Sequence, residues 1–515
     1  MKKDYFILFI LIFYFFFQLS TLDYGFKIND IKYFKNISLY EKDIKDFTEK
    51  KEIKNKENIK STTDPWRYRY KLYSVNADEM MAIMALSKIK INENKFDPQI
   101  YKYGGAFLYP LGLYYYFLTK TNFLENINSY SIINNEKLID DIYFHGRLFI
   151  LLCFIFSALI LYKTLKLITK KNCALIFTSI YLIAPSSIMY SQIIKPNWYA
   201  LLWFNLSIFY GLKYFLNKKK FFYLLPASVF LGLTLGSSVL FAPVVFFIFI
   251  LIFLNLKKNI TKNYFLFLIF STSAIFFITN PYILTNFTNF FNESRGEYNW
   301  VLKGITFNNI VPFLYNSFIQ GFGLFFSLTL FYFLINKKKY EFEKKISFFI
   351  VLLILFGAII SSYENWHIQF RYIPYILTIS LIYLALKIKN YKFILFIFFI
   401  TFLQAIPLKL AFHDENILMH STRLSSAKWI NDNIIEKNKS ICKKDFSPFD
   451  FPPINFNKAK LQNDCEFKVH VLRQPKKIKE YNNNKIIKKF EPRYQFLNIP
   501  LVFSHINPLI IIVEN

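Results

Sequence analysis

Long apolar runs separated by short lysine-rich loops are the feature that most constrains the fold of this chain. Runs of roughly twenty residues are long enough to cross a bilayer as α-helices. Hydrophobic residues make up 54% of the 515 residues, and aromatic residues make up 21%. A soluble globular chain does not carry so many long apolar runs. The sequence therefore predicts an all-α polytopic membrane protein.

One apolar run decides the topology. Residues 104–118 are apolar, but the run is short for a bilayer and contains Pro110 and three consecutive tyrosines. If this run does not cross, the positive-inside rule puts every short lysine cluster on the cytoplasmic side; if it does cross, every cluster faces outward. We therefore expect a helix lying at the outer interface, and about eleven transmembrane spans elsewhere. The predicted spans are 5–19, 148–167, 173–190, 198–215, a pair within 221–256, 264–282, 311–335, 346–360, 373–386 and 393–408.

The net charge of +29 follows from the same pattern. Such an excess of lysine and arginine can indicate binding to nucleic acid. Here the lysines cluster at the ends of apolar runs, so membrane topology explains them better. We expect contact with membrane lipids and no nucleic-acid partner.

Four segments are predicted along the chain. Residues 1–20 form a retained signal-anchor helix, because two lysines precede the run and no small-residue cleavage site follows it. Residues 21–146 form the first extracytoplasmic loop, with an acidic motif and interfacial helices. Residues 147–410 form the transmembrane bundle, and residues 411–515 form a small extracytoplasmic α/β domain. We expect a multi-pass protein of the plasma (inner) membrane with its chemistry on the extracytoplasmic face.

The C-terminal domain is predicted from short periodic segments. Residues 425–435 have helical periodicity, and residues 467–472 and 509–513 have the composition of strands. Cys442 and Cys465 lie in this domain, either paired, as an oxidising compartment would allow, or as two free thiols. The cysteines show no metal-type spacing.

Asp78 and Glu79 are adjacent carboxylates at the start of an apolar helix. Asn76 can cap this helix, and Glu79 lies three positions later, as in a capping box. Both acids therefore have a structural interpretation. The predicted topology also puts them on the outer face, where a carboxylate can accept a proton from an acceptor hydroxyl.

Several basic side chains stand at outer helix ends, against the usual placement of positive charge. They either meet lipid headgroups or hold an anionic ligand. For Arg371, which lies against an apolar helix and two residues from a glutamine, the anionic ligand is favoured. A phosphate group needs such cations to hold it and to stabilise it as it leaves. The candidates for phosphate binding are Arg371, Lys195, His367 and Arg147.

The chain resembles the multi-span glycosyltransferases that use polyprenyl-phosphate sugars, the protein-mannosyltransferase-like group with the GT-C fold. The resemblance rests on short motifs in the expected order. They are Asn76-Ala77-Asp78-Glu79, Phe96-Asp97-Pro98, the 103–116 surface helix, Ser191-Gln192 with Lys195-Pro196-Asn197, Gly232 to Gly236, Asn280-Pro281-Tyr282, Arg371-Tyr372 with Pro374, and Ala427-Lys428-Trp429-Ile430. The family usually has other residues where Asn197 and Tyr103-Gly104-Gly105 stand here.

The resemblance implies an inverting glycosyltransferase that moves a sugar from a polyprenyl-phosphate donor to an acceptor hydroxyl of a glycan, a lipid or a protein. Asp78 then takes the role of the loop-one catalytic carboxylate, and Glu79 is the secondary candidate. No cofactor is assigned, and a divalent metal ion is left open. Two other classes remain, a lipid-linked glycan transporter or flippase, with polar residues on broken helices, and an envelope-assembly scaffold.

Overall fold

The computed structural model describes residues 5–25, 74–90, 93–125, 136–216, 221–246, 248, 261–302, 310–336, 341–360, 374–417, 419–442, 451–456, 458–462, 464–472, 485–494 and 506–514. These residues are mostly helical, and a small sheet lies in the C-terminal region. The chain forms two compact units. The first contains Met1–Leu19, Met81–Tyr114 and Arg147–Ile406, and the second contains Ser20–Met80, Tyr115–Gly146 and Pro407–Asn515.

Seventeen α-helices are numbered here in chain order through the described residues. They are α1 (Tyr5–Leu19), α2 (Ala77–Lys88), α3 (Gly105–Lys120), α4 (Glu136–Lys166), α5 (Lys171–Ile183), α6 (Pro185–Tyr190), α7 (Pro196–Leu216), α8 (Leu224–Ser237), α9 (Thr261–Thr279), α10 (Tyr282–Thr285), α11 (Phe287–Leu302), α12 (Ile310–Leu314), α13 (Leu324–Ile335), α14 (Glu341–Ile360), α15 (Pro374–Lys387), α16 (Tyr391–Asp414) and α17 (Thr422–Ile430).

Two helices in the described part of the chain are long and apolar enough to cross a membrane, Lys137–Lys166 and Tyr391–Asp414. Several apolar helices of 10–17 residues accompany them, α1 among them. The predicted number of about eleven spans stays a prediction. The predicted interfacial run 104–118 corresponds to α3, which is helical from Gly105 to Lys120.

Helix α1 has the surface expected of a lipid-facing helix. Its buried residues, Ile7, Leu11, Tyr14 and Gln18, recur every three or four positions and form one stripe. The remaining surface is largely apolar and aromatic, and Phe9 and Phe16 are more than half exposed. An apolar surface of this kind is compatible with lipid rather than water.

Helix α15 lies in the interior of the first unit. Every residue from Pro374 to Ala385 is buried, as expected for a helix that is apolar on all sides. A buried polar network joins it to two neighbours: the Thr378 hydroxyl donates to Asn205 Oδ1 at 3.1 Å, and Asn205 Nδ2 donates to Ser157 Oγ at 2.8 Å. Such side-chain bonds link helices in an apolar environment, where polar groups need protein partners.

Two predicted spans are broken within the bundle. The predicted span 173–190 divides at Ala184 into α5 and α6. The predicted span 311–335 begins as α12, continues as a π-helical turn, Tyr315–Gln320, and resumes as α13 after Gly323. Gly323 has φ +110°, a conformation that side chains other than glycine rarely adopt. Ser186 N donates to the Gly321 carbonyl oxygen at 2.8 Å, so the two breaks are adjacent.

The predicted C-terminal α/β unit is present. Its five strands are β1 (Ser440–Cys442), β2 (Lys460–Gln462), β3 (Phe467–Leu472), β4 (Ile486–Phe490) and β5 (Leu509–Glu514). They form one sheet in the order β2-β1-β3-β5-β4, parallel at β2-β1-β3 and antiparallel at β3-β5-β4. Buried residues of α17, Leu424, Ala427 and Ile430, share an apolar core with strand residues. Cys442 and Cys465 form a disulfide.

The start of this domain is held by two ion pairs, one of them buried. Arg423 and Glu415, both almost completely buried, lie 2.7 Å apart. Arg493 donates two hydrogen bonds to the Asp414 carboxylate, at 3.1 and 3.0 Å. Asp414 is the last residue of α16. The end of the last long helix is therefore fixed to the folded tail.

Candidate active site

The two predicted catalytic carboxylates lie in the first turn of α2. Asn76 precedes the helix, and its Oδ1 accepts a hydrogen bond from the backbone N–H of Asp78 at 3.1 Å. The predicted N-cap is therefore formed. Negative charge in a first turn also interacts favourably with the helix dipole.

A serine outside the predicted motif completes the cap. The backbone N–H of Asn76 donates to Ser74 Oγ at 3.0 Å, and Ser74 Oγ lies 2.5 Å from Glu79 Oε2. In an ordinary capping box, the Glu79 carboxylate would bond the Asn76 N–H directly. Here the Ser74 hydroxyl lies between them and bonds both. Sequence reasoning missed Ser74; its signal is a serine two residues before a capping asparagine.

Glu79 and Asp78 differ in environment. Glu79 has no solvent exposure, and its carboxylate is bonded to Ser74. Asp78 is partly buried, and the cap uses its backbone N–H rather than its carboxylate. Of the two acids, Glu79 is therefore the one with a described structural role.

The predicted cations Arg147 and Lys195 are buried in the first unit, with 2% and 7% exposure. Neither side chain is displayed on the lipid-facing surface, where a cation would snorkel to headgroups. Lys195 immediately precedes α7, whose N-terminal end carries positive partial charge. The Lys195 ammonium group and this helix end both favour the binding of an anion.

The turn that carries Lys195 is fixed to the first helix. Tyr14 OH lies 3.1 Å from Ser191 Oγ. Gln18 Nε2 donates to Ser191 Oγ at 3.2 Å and to the Ile188 carbonyl oxygen at 3.3 Å. The turn is therefore positioned by side chains from a distant part of the chain.

The predicted site residues are divided between the two units and the part of the chain that the structure does not describe. Asp78 and Glu79 share the start of α2, in the second unit, whereas Arg147 and Lys195 belong to the first unit. The other two candidates for phosphate binding, Arg371 and His367, lie outside the described residues.

A second acidic group, Asp97 and Glu293, fastens the loop before α3 to the region of α11. Asp97 accepts hydrogen bonds from Gln99 N at 2.8 Å and Tyr101 OH at 3.1 Å, and also from Asn286 Nδ2. Glu293 accepts from the backbone N–H groups of Tyr101 and Lys102. Burial and the nearby Asp97 carboxylate raise the pKa of Tyr101 to about 12. These carboxylates therefore connect the loop before α3 to the region of α11, two segments that are far apart in the sequence.

Gly104 and Gly105 allow α3 to begin against two other helix ends. Gly105 N donates to Asn280 Oδ1 at 2.7 Å. A Cβ atom on Gly104 would lie 1.9 Å from the Gly236 carbonyl oxygen, and one on Gly105 would lie 2.1 Å from the Thr279 carbonyl oxygen. Residues with side chains cannot occupy either position without a backbone shift. Close approach therefore accounts for glycine at both positions.

The described residues contain no group of three or more His, Cys, Asp or Glu side chains that could hold a metal ion. The second unit contains a capped acidic helix start, and the first unit contains two buried cations. These are groups able to accept a proton and to bind a phosphate.

Residues 118–317 match the family model of dolichyl-phosphate-mannose-protein mannosyltransferases. The predicted relationship to the mannosyltransferase-like, GT-C group is thereby confirmed, and so is the enzyme class, a glycosyltransferase. This family consists of integral membrane enzymes that use polyprenyl-phosphate sugars. Arg147 and Lys195 lie inside the matched segment, and Asp78 and Glu79 precede it. No curated protein and no solved structure matches the chain.

Proposed function

We propose that this membrane enzyme is an inverting glycosyltransferase that acts at the outer face of the plasma membrane. It moves a sugar from a polyprenyl-phosphate donor to a hydroxyl of a glycan, lipid or protein acceptor. The observation that carries the proposal is Lys195, a buried cation at the N-terminal end of α7 inside the segment that matches the mannosyltransferases. Its charge and position suit a donor phosphate.

The outer face is supported by two further observations. Gln18, in the last turn of α1, bonds Ser191 in the Lys195 turn, so these two segments lie on the same side of the membrane. With a cytoplasmic N-terminus, that side is outside. The Cys442–Cys465 disulfide supports the same side for the tail, because disulfides persist in oxidising compartments.

The proposed reaction is a single displacement at the sugar C1. The acceptor oxygen forms a bond to C1 as the C1–O bond to the phosphate breaks, and the electron pair leaves on the phosphate oxygen. The acceptor proton passes to the Asp78 carboxylate. The products are a glycoside with inverted configuration and a polyprenyl phosphate. The transition state has oxocarbenium character, as in glycoside hydrolysis.

The cations act on the leaving group in this mechanism. Cleavage turns a phosphate diester into a monoester, so negative charge increases on the phosphate. Lys195 and Arg371 stabilise that charge, with His367 and Arg147 as further contacts. Glu79 serves the helix cap through Ser74, and Asp78 is the proposed base.

The direct test uses purified full-length protein in lipid nanodiscs. Polyprenyl-phosphate sugars are supplied with serine and threonine peptides, glycans and lipids as acceptors. We expect transfer from at least one donor, with the opposite anomeric configuration in the product by NMR. A product that retains the donor's configuration contradicts the mechanism, and no transfer from any donor contradicts the proposed activity.

The broken helices favour a lipid-linked glycan transporter as the second candidate. Discontinuous helices with polar groups at their breaks are typical of transporters, and α5–α6 and α12–α13 both have such breaks. A transporter moves the lipid-linked donor without cleaving it. Release of free polyprenyl phosphate by the purified protein therefore separates the two functions, and a scaffold does neither.

A further inference from the structure

The two adjacent helix breaks contain buried polar atoms that the protein does not satisfy. Among the described residues, the Gln320 amide oxygen and nitrogen have no hydrogen-bond partner, and neither do the hydroxyls of Ser186, Ser187 and Ser317. All four side chains are buried, and Gln320 is 3% exposed. An unpaired buried polar group is costly, most of all within a membrane.

Hydroxyls within α5 behave differently. In α5, the Thr178 hydroxyl donates to the Ala174 carbonyl oxygen at 2.8 Å, and the Ser179 hydroxyl donates to the Leu175 carbonyl oxygen at 3.0 Å. This bond to the preceding turn is the usual solution for serine and threonine in apolar helices. The hydroxyls at the breaks lack it. Unsatisfied polar groups of α6 and of the π-helical turn therefore lie at the two adjacent breaks.

A second glutamine at the same break provides an internal comparison. Gln404 of α16 donates through Nε2 to the Ile319 carbonyl oxygen at 2.6 Å, and its Oε1 accepts from Leu324 N at 2.8 Å. The protein thus satisfies the backbone of the break with one glutamine amide. It leaves the amide of the neighbouring Gln320 without a partner in the described structure.

We propose that Gln320, with Ser186, Ser187 and Ser317, forms a binding site for the sugar of the lipid-linked donor. Neither 184–187 nor 315–323 contains a charged residue, so the site suits a neutral group with several hydroxyls. Amide and serine groups bond such hydroxyls as donors and acceptors. This inference rests on the proposed function.

The position of the site along the chain fits a donor held at Lys195. Ser187 lies four residues before Ser191, which is one helical turn and about 6 Å along the axis. Lys195 follows Ser191 in the loop between α6 and α7. The sugar is joined directly to the phosphate. When the phosphate is held at Lys195, the attached sugar is therefore the nearest polar group of the donor for Gln320 and the three serines to bind.

The test compares Gln320→Leu with Gln404→Leu in the full-length protein. Affinity is measured in nanodiscs for polyprenyl-phosphate-mannose and for polyprenyl phosphate, without acceptor, so that only donor sugar is present. We expect Gln320→Leu to lose roughly tenfold in affinity for the sugar-bearing lipid and nothing for polyprenyl phosphate. Its melting temperature should stay unchanged or rise, whereas that of Gln404→Leu should fall.

Two results would overturn this site. If Gln320→Leu keeps the wild-type preference for the sugar-bearing lipid, the Gln320 amide does not bind the sugar and contacts only water. An equal fall in melting temperature for both variants means that Gln320 has a structural role. If the wild-type protein transfers sugar but binds both lipids equally, the site fails while the proposed function stands. If the wild-type protein transfers no sugar, both fail.

Discussion

Gln18 Nε2 donates a hydrogen bond to Ser191 Oγ at 3.2 Å, and this contact joins the end of α1 to the turn after α6. Helices α3 and α4 and the α5–α6 pair lie between Gln18 and Ser191 in the chain. If α4 and the α5–α6 pair each cross the membrane once, the two residues lie on the same side only when α3 does not cross. The contact therefore supports the interfacial placement of α3 that the lysine clusters predict.

Topology gives the first prediction. A single cysteine at Asn484→Cys, in the tail, should react with an impermeant thiol reagent in intact cells. A cysteine at Lys338→Cys, in a predicted cytoplasmic loop, should react only after permeabilisation, because lysine-rich short loops stay inside. The reverse labelling pattern would put the tail and the proposed chemistry on the cytoplasmic side.

Local signals in the sequence predicted much of the fold. Strand β3 matches the predicted 467–472, and α1 matches the predicted 5–19. Both rely on periodicity or continuous apolar character within a single segment. The N-cap at Asn76 was also predictable, because a capping side chain bonds its own helix start.

Features that depend on distant segments were not predictable. The break before α13 is stabilised by Gln404, 80 residues from Leu324. Asp97 is bonded to Asn286, 189 residues away. Only the fold shows which carboxylates connect distant segments. Ser74 and the contacts around Lys195 in the candidate site likewise became apparent only in the structure.

Close packing at the start of α3 gives the second prediction. Gly104→Ala should destabilise the protein by about 1–3 kcal/mol, because its Cβ would meet the Gly236 backbone and force a shift. The matched control is Gly211→Ala in α7, where no neighbouring atom lies within 4 Å of the added Cβ. Alanine at such a helix position should stabilise by up to about 1 kcal/mol. Thermal unfolding of both variants checks this, and equal stabilities would contradict the close approach.

Donor binding gives the third prediction. Lys195→Gln and Arg371→Gln should each weaken binding of polyprenyl-phosphate sugar roughly 10- to 100-fold, because a charge-assisted bond to phosphate is lost. Lys213→Gln, in the last turn of α7, the helix that follows Lys195, serves as a control and should bind normally. Normal binding by both site variants would mean that the phosphate is held elsewhere.

The ion pairs of the tail give the fourth prediction. Arg423→Met leaves the Glu415 carboxylate buried beside an apolar side chain and should cost about 3–5 kcal/mol. Lys485→Met removes an exposed partner of Glu514 and should change stability little. Denaturant unfolding of the full chain measures both changes. A similar, small effect of the two substitutions would contradict the buried placement of Arg423.

The fifth prediction separates the two carboxylates. Glu79→Gln keeps a side chain that can accept the Ser74 hydrogen bond, so stability should change little and transfer should fall modestly. A larger loss of transfer for Glu79→Gln than for Asp78→Asn, at unchanged melting temperature, would identify Glu79 as the base.

Sugar transfer by purified Asp78→Asn is the most direct measurement of the central claim. Asparagine keeps the size of the side chain and leaves the Asn76 cap intact, because that cap uses the backbone N–H of residue 78. Asparagine cannot act as a general base, so turnover should fall roughly 10²-fold or more at an unchanged melting temperature. Full turnover by Asp78→Asn would contradict the proposed mechanism, and a loss of turnover that follows a loss of stability would reduce Asp78 to a structural role.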